Sequence, residues 1–466
     1  MKIDSALRDA QTQLRTAIHA AESFDILTRE IEICGRAATL FFIDGFVKDE
    51  IMEKLMEFFY SIDTPDALHD AQSFARRGIP YVEVALEDEL SAITTQFFSG
   101  VSVLLVDGFD RAILIDTRTY PQRETGEPDK DKVFRGSKDG FVETLVFNTA
   151  LIRRRIRDSA LRMEYYQIGT TSKTDVALCY LSSRADPALL EKIRAKLSAI
   201  RIDALTMNQE SLAEALIRHR WYNPFPKFKY TERPDTTAAQ ILEGDIVLLV
   251  DNSPSAMILP VTLFDVIEEA NDFYFPPITG TYLRLTRFLV TFLTMMLTPT
   301  WLLLLRYPEH IPGWLSFIRV DDPVYIPIFF QLLILEFAID GLKLATLNTP
   351  TMLTTTLSMI GAVIVGDFAV KSGWFSAQSM LYMALAAIAN YAQPGYELSY
   401  ALKFMRILLL ITTGVAGLWG YIFGGVLIVV ILASNRTVAG GSYLYPLFPF
   451  NWKDFKKKLL RIRADG

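Results

Sequence analysis

Cysteine and histidine are scarce in this 466-residue sequence, which contains two cysteines and four histidines. Cys34 and Cys179 form no close pair, so the sequence excludes a disulfide framework and a cysteine-based zinc site. The histidines are scattered, and none has the spacing of metal ligands. We therefore expect no metal or other cofactor, and a reducing environment for the cysteines.

The sequence also lacks the motifs of phosphate and nucleic-acid binding. It has no Walker A loop and no GxGxxG motif, and its net charge of −6 comes without a basic stripe interleaved with aromatics. It is poor in the convergent nucleophiles and bases that catalysis needs. Enzymatic activity is therefore the least supported function class, and nucleic acid is not an expected partner.

Charged residues become sparse from Phe288 to Asn435, which predicts a membrane domain. A bilayer is crossed by about 20 mostly apolar residues. Four stretches are long enough and contain no Lys, Arg, Asp or Glu: Phe288 to Leu305, Leu344 to Gly366, Ser372 to Tyr396 and Ile407 to Asn435. A fifth, VYIPIFFQLLILEFAIDGLK from Val324, is interrupted by charges and favours a re-entrant or interfacial helix.

The distribution of basic residues predicts that both ends are cytoplasmic. The first 20 residues are polar and lack the apolar region of a signal peptide. Arg284 and Arg287 precede the first span, and the tail WKDFKKKLLRIRADG carries six basic and two acidic residues. Both ends inside requires an even number of spans, which four spans satisfy. This count leaves Lys403 and Arg406 on an outside loop.

The charge-rich half predicts an α/β cytoplasmic region of two small subdomains. We expect an N-terminal helix in residues 1–27, subdomain 1 in 28–125, subdomain 2 in 126–275, the α-helical membrane domain in 276–436 and a basic cytoplasmic tail in 437–466. The segments VLLVDGFDRAILI (103–115) and VLLVDNSPSAMIL (247–259) align without a gap. Each is typical of a β-hairpin with a polar turn.

An aspartate ends an apolar run three times, in FFIDGF, LLVDGF and LLVDNS. Asp44, Asp107 and Asp251 could form a metal or acid-base site if their units converged. The alternative is a strand that leaves the core through a polar turn, with Asp107 and Asp251 in a repeated hairpin. We favour the second interpretation, since the three residues belong to separate structural units.

Ionisable residues near membrane depth are the main candidates for an ion path. Charge at bilayer depth is costly, so such groups usually face protein, water or ions. The alternative is that these residues pair at the membrane interface, Asp340 with Lys343 and Asp367 with Lys371. Glu336 is the deepest and the best single candidate. The full set is Glu336, Asp340, Lys343, Asp367 and Lys371.

Two charged segments of the soluble half are candidates for a partner or subunit interface. The helix FVETLVFNTALIRRRIRD has an apolar face and leaves its arginines largely around the other face. Such a run could also grip phosphate or acidic lipid headgroups. The segment TERPD could be an interdomain latch or a loop. The candidate residues are Arg153, Arg154, Arg155, Glu232, Arg233 and Asp235.

The segments FVETLVFNTALIRRRI, PFPKFKYTERPD, ILEGDIVLLVDNSPSAMILPVTLFDVIEEANDFY and YLRLTRFL resemble the A-subunit family of spore germinant receptors, the GerA type. The resemblance runs from about residue 24 to residue 450. It implies an integral protein of the spore inner membrane that acts in germination. It further implies a homo-oligomer that conducts monovalent cations, with receptor B and C subunits or a small membrane protein as partners.

One segment departs from the family. Where members tend to read REAGIRLP, this chain reads FAIDGLKLATLNTP, with Ile339 and Asp340 replacing an Arg-Glu pair and Lys343 a later arginine. Glu336 matches the acid that precedes the pair. Our leading hypothesis is a channel subunit that amplifies the germination response. A receptor A subunit, or a membrane-anchored scaffold that conducts no ions, is the alternative, and a secondary transporter is weaker.

Overall fold

The computed structural model describes residues 2–47, 49–63, 68–77, 79, 83–118, 133, 136–217, 223–320, 323–348 and 369–461. The chain divides into an N-terminal unit, Met1–Arg218 with Phe228–Pro260, and a helical unit, His219–Lys227 with Val261–Gly466. The boundary expected near residue 275 lies inside the helical unit. Most of residues 126–137, at the expected start of subdomain 2, lie outside the described residues.

The first half of the N-terminal unit is an antiparallel sheet with helices on both faces. Its strands are β1 (Ile26–Ile33), β2 (Arg36–Ile43), β3 (Val84–Glu87), β4 (Ser102–Val106) and β5 (Ala112–Ile115), in the order β1-β2-β4-β5-β3. Its helices are α1 (Leu7–Ile18), α2 (Asp49–Tyr60), α3 (Ala71–Arg77) and α4 (Leu90–Phe98).

The second half repeats this topology, which agrees with the repeated hairpin in the sequence. Its strands are β6 (Leu161–Ile168), β7 (Thr174–Leu181), β8 (Lys229–Thr231), β9 (Ile246–Val250) and β10 (Ala256–Leu259), in the order β6-β7-β9-β10-β8. Its helices are α5 (Leu145–Arg155), α6 (Pro187–Ala199), α7 (Asn208–Leu216) and α8 (Pro234–Glu243).

Burial on both faces explains why the central strands are continuously apolar. In β4, Val103 and Leu105 pack under α1 and α4, whereas Leu104 and Val106 pack under α2 and α3. All five residues of β4 are buried, and the same is true of β9. A strand covered on both faces has no solvent side, so its sequence does not alternate.

The helical unit contains the apolar half of the chain. Its helices are α9 (Leu263–Ile267), α10 (Asn271–Tyr274), α11 (Pro277–Arg306), α12 (Ile328–Asn348), α13 (Ala377–Tyr391), α14 (Tyr396–Ser434) and α15 (Trp452–Leu459). Among the described residues, α11 and α14 are long and apolar enough to cross a membrane, α14 when its 39 residues are taken together. The four-span count stays a prediction, and most of the stretch Leu344 to Gly366 lies outside the described residues.

The stretch Ile407 to Asn435, expected as one span, is broken at Gly417 into two helical arms. Gly417 has a left-handed backbone with φ of 59°, which favours glycine. A Cβ atom at Gly420 would overlap the carbonyl oxygen of Thr412, and one at Gly424 would lie 2.9 Å from Leu409. A straight helix separates residues eight positions apart by about 12 Å, so residues 396–416 and 418–434 must fold back on each other.

Helix α12, expected as a re-entrant or interfacial segment, is one helix of 21 residues. At 1.5 Å per residue it is about 31 Å long, close to the thickness of a bilayer core. Gln331 near its start accepts a hydrogen bond from the backbone of Ser376, and Lys343 near its end lies over the ring of Tyr391. It therefore runs alongside α13, and Pro327 precedes the helix rather than breaking it.

Candidate functional site

Glu336 lies near the middle of α12 and forms a buried ion pair with Arg406 of the first arm of α14. The guanidinium donates from Nε to Oε1 at 2.6 Å and from Nη2 to Oε2 at 2.9 Å. Arg406 also donates from Nη1 to the carbonyl oxygen of Thr294 at 2.8 Å. The two side chains are 1% and 2% exposed, so the pair is removed from solvent.

Lys403, one turn before Arg406, connects Glu336 to Asp340. Its ammonium donates to the backbone oxygen of Glu336 at 3.1 Å and lies 3.5 Å from Oε2 of the same residue. It also pairs with the carboxylate of Asp340. The four groups carry two negative and two positive charges, so the cluster is formally neutral. We call Glu336, Asp340, Lys403 and Arg406 the charge cluster.

Neutrality and direct hydrogen bonds between the opposite charges make the charge cluster tolerable in an apolar bundle. A single buried charge would incur a desolvation penalty of several kcal/mol, whereas a bidentate pair recovers much of it. Asp340 is the least buried member, with 33% of its side chain exposed. The cluster therefore reaches the surface of the helical unit at Asp340.

Polar contacts continue from the charge cluster to α13. The amide nitrogen of Gln393 donates to the hydroxyl of Thr294 at 3.2 Å, and the hydroxyl of Thr291 donates to Oε1 of Gln393 at 3.0 Å. Thr294, through its backbone carbonyl, is also the residue that binds Arg406. A connected series of polar groups thus crosses the bundle from α12 through α14 and α11 to the end of α13.

The remaining membrane candidates lie elsewhere. The Lys343 ammonium lies 5.6, 5.1 and 4.4 Å from the ring centroids of Tyr391, Tyr396 and Tyr400, where cation–π attraction stabilises it. Asp340 takes Lys403 as its ion-pair partner, in place of the expected pairing with Lys343. Lys371 ends a single helical turn, and Asp367 lies outside the described residues.

Two members of the charge cluster, Lys403 and Arg406, were expected on an outside loop. The structure instead places both inside the first arm of α14, with their side chains buried. The sequence contains a signal for this pairing. Two acids lie four residues apart on one apolar segment, and two bases lie three residues apart on another, so each pair has helical spacing. The lengths of the apolar stretches alone place these two bases at the end of a span.

The N-terminal unit has its own buried ion pair. Arg153 of α5 donates to Asp25, just before β1, with Nε–Oδ2 and Nη2–Oδ1 distances of 3.0 Å. Its guanidinium lies 5.3 Å from the ring centroid of Phe98, and its side chain is 0% exposed. The expectation that Arg153 lies on the outer face of its helix is therefore wrong, because it shares the buried stripe of Thr149 and Ile152.

Arg155 and Arg233, from the two charged segments, meet at Ser137. Arg155 donates to the Ser137 hydroxyl at 3.0 Å, and Arg233 donates to its backbone oxygen at 3.0 Å. Asp139 and Asp235 are their respective carboxylate partners, at 2.5 and 2.6 Å. Burial raises the pKa of Asp139, but hydrogen bonds from Arg155 and Ser137 outweigh it and hold the pKa below its ordinary value.

Among the other interface candidates, Arg154 is partly exposed at the end of α5. The backbone oxygen of Glu232 accepts a hydrogen bond from the backbone nitrogen of Phe141 at 2.8 Å.

The repeated aspartates have a structural role at equivalent positions. Asp107 accepts a hydrogen bond from the backbone nitrogen of Leu7 at 3.1 Å, and Asp251 accepts one from Leu145 at 3.0 Å. Each carboxylate thus satisfies an otherwise unpaired N–H in the first turn of α1 or α5. Within the described residues no His, Cys, Asp and Glu side chains group as metal ligands.

Comparison with known proteins gives matches over nearly the whole chain. The family model described as "Bacillus/Clostridium GerA spore germination protein" matches residues 12–465. Stage V sporulation protein AF of Bacillus subtilis (strain 168) is 36% identical over 448 residues, which cover 95% of this chain and 90% of that protein. Spore germination protein KA of the same organism is 28% identical over 460 residues, with 97% and 84% covered.

Two further matches come from other species. Spore germination protein GerLA of Bacillus cereus is 25% identical over 468 residues, covering 99% of this chain and 94% of that protein. Among solved structures, the N-terminal domain of the A subunit of the Bacillus megaterium spore germinant receptor GerK3 is 26% identical. The match covers 56% of this chain and 96% of the solved chain, with a TM-score of 0.43.

Proposed function

This chain belongs to the GerA family of spore germination proteins, and from that premise we propose that it is a membrane subunit of an oligomeric channel that releases monovalent cations during germination. Its role is conduction rather than catalysis. In this proposal the channel amplifies the germination response. The helical unit conducts, and the N-terminal unit assembles the complex.

The charge cluster is the observation that carries this proposal. Ionisable groups inside apolar helices are expensive and usually mark ion paths or other functional positions. Here two acids and two bases meet near the middle of α12, and polar contacts continue across the bundle to Gln393. Asp340 is the member that ions can approach, since it is one-third exposed.

The proposed location is the spore inner membrane, with the N-terminal unit and the basic tail in the cytoplasm. A homo-oligomer would bring several copies of Asp340 together. From the membership of the GerA family we propose receptor B and C subunits, or a small membrane protein, as partners. A receptor A-subunit role uses the same assembly without the amplifying function.

Ion flux through reconstituted protein tests the proposal. Wild-type protein in liposomes, with and without its partner, is expected to pass potassium or sodium. Asp340→Asn removes the exposed negative charge and is expected to lower both the flux and the preference for cations over anions. The matched control is Glu309→Gln, because Glu309 is an exposed carboxylate of the same unit, at 62% exposure.

Two results would contradict the channel. One is liposomes that stay tight although the oligomer is correctly assembled. The other is an Asp340→Asn protein with the flux and selectivity of wild type. Variants are compared only after size-exclusion chromatography has shown the same oligomer, which separates a conduction defect from an assembly defect.

The outer face of α5 favours the scaffold as a second candidate function. Phe147 is 46% exposed on this helix, and Arg154 lies two turns further along the same face. Exposed aromatic and arginine side chains are enriched at protein interfaces. If the protein is only a scaffold, Arg154→Glu abolishes complex assembly, whereas Asp340→Asn changes neither assembly nor any ion flux.

A further inference from the structure

The segment that follows α14 ends in a surface of aromatic and basic side chains. Leu447, Phe448, Phe450 and Trp452 are 49%, 67%, 62% and 63% exposed, and the exposed face of α15 adds three lysines. The ring centroids of Phe450 and Trp452 lie 6.2 Å apart. We call the set Leu447, Phe448, Phe450, Trp452, Lys453, Lys456 and Lys457 the tail surface.

Helix α15 is held by its opposite face, so the tail surface is oriented outward. Phe455 packs edge-on against Phe264, with ring centroids 6.0 Å apart. Lys458 pairs with Asp265 at 2.6 Å and with Glu268 at 3.3 Å. In the described part of the chain no carboxylate forms an ion pair with the three lysines of the tail surface, which leaves their charge available to an outside anion.

Contacts to α11 place the tail surface where that apolar helix begins. Arg284 donates to the backbone oxygen of Lys457 at 3.0 Å, and the backbone nitrogen of Arg461 donates to the hydroxyl of Thr281 at 3.1 Å. The uncharged part of α11 starts at Phe288, one turn after Arg284. The lysines and aromatics thus lie at the level where α11 would leave the headgroups for the hydrocarbon.

We propose that the tail surface docks on the anionic headgroups of the bilayer that α11 enters, and so fixes the depth of the helical unit. The apolar side chains of Leu447, Phe448, Phe450 and Trp452 insert at the interface, while the lysines contact lipid phosphates. Each lysine near an anionic surface strengthens docking about fivefold, so three together contribute on the order of 100-fold. The inference does not depend on ion conduction.

Amide hydrogen exchange of the full chain in nanodiscs tests the proposal. Exchange in residues 447–461 is expected to slow many-fold when phosphatidylglycerol is added to phosphatidylcholine, and high salt should reverse the effect. The triple variant Lys453→Gln, Lys456→Gln, Lys457→Gln is expected to lose this lipid dependence. Its control removes three exposed lysines of the N-terminal unit: Lys54→Gln, Lys173→Gln, Lys192→Gln.

The test also separates lipid from other anions. Inorganic phosphate added in detergent is expected to leave the exchange of this segment unchanged. The proposal is overturned if phosphate alone protects the segment, if phosphatidylglycerol gives no protection, or if the triple variant remains as protected as wild type. Protection that requires an added acidic protein instead of lipid would overturn it as well. Unchanged exchange in α11 confirms that the triple variant is folded.

Discussion

Replacing Glu336 and Arg406 together should destabilise the folded protein less than replacing either one alone. The charge cluster is neutral, so Glu336→Gln leaves one net positive charge, and Arg406→Gln leaves one net negative charge. Both side chains are at most 2% exposed. Breaking a buried pair in this way costs about 3–5 kcal/mol.

The double variant restores neutrality, because the pair of Lys403 with Asp340 remains. Replacing both partners leaves no uncompensated buried charge, which is the main cost of each single variant. We therefore expect the double variant to be less destabilised than either single variant, and hence by at least about 3 kcal/mol less than the sum of the two. The carbonyl oxygen of Thr294 loses its donor at 2.8 Å when Arg406 is replaced, which accounts for a residual cost.

Thermal unfolding in detergent measures these differences. Size-exclusion chromatography after heating gives the remaining folded fraction and hence Tm. Each single variant should lower Tm by roughly 10 °C, and the double variant by clearly less. Glu309→Gln, the exposed control, should leave Tm unchanged. Additive losses, or single variants that melt like wild type, would show that the two charges do not interact.

Three further changes test other parts of the structure. Gly417→Ala forces a side chain into left-handed backbone, 2.8 Å from the Tyr307 hydroxyl, and should lower stability by about 1–3 kcal/mol in the same assay. The neutral control is Gly425→Ala, whose added Cβ would have no atom within 4 Å beyond its own stretch of helix. Asp107→Ala removes the hydrogen bond to the start of α1 and should cost about 1 kcal/mol in denaturant unfolding of the N-terminal unit. The pKa of Asp139 is lower in the folded state than in the unfolded state, so its contribution is complete above the ordinary aspartate pKa and is lost as pH falls through the folded pKa. Unfolding at pH values from neutral down to strongly acidic should show this loss, and Arg155→Ala should reduce it.

The local elements of the N-terminal unit follow closely from the sequence. The hairpins at 103–115 and 247–259 are confirmed as β4–β5 and β9–β10. Asp186 caps α6 by accepting a hydrogen bond from the backbone nitrogen of Ala188 at 2.9 Å, and Pro187 follows it at the first helical position. These features depend on the conformational preferences of residues that are neighbours in the sequence, so they can be predicted without knowing the fold.

The charge cluster was only half predictable, because its members come from two segments that lie about 70 residues apart. Glu336 and Asp340 stood out as acids in an apolar helix. Lys403 and Arg406 look equally like the end of a span, since a base beside an apolar run is also the usual sign of a membrane boundary. Only the packing of α14 against α12 shows that these charges neutralise each other.

The break at Gly417 is likewise not predictable from its own segment of the sequence. The run from Ile407 to Asn435 has the length and apolarity of a single span, and glycine inside such a run more often serves close packing. The reversal depends on Gly420 and Gly424 meeting Thr412 and Leu409, which are nearby only after the chain has turned.

The family, the duplicated α/β plan of the N-terminal unit and the apolar character of the helical unit are all predictable from the sequence, because each depends on continuous motifs or on local periodicity. Tertiary structure alone decided that Arg153 is buried on Asp25, that the repeated aspartates cap helices, and that Glu336 has Arg406 as its partner. A buried charge is costly unless an opposite charge lies against it. That contact depends on the packing of segments far apart in the chain.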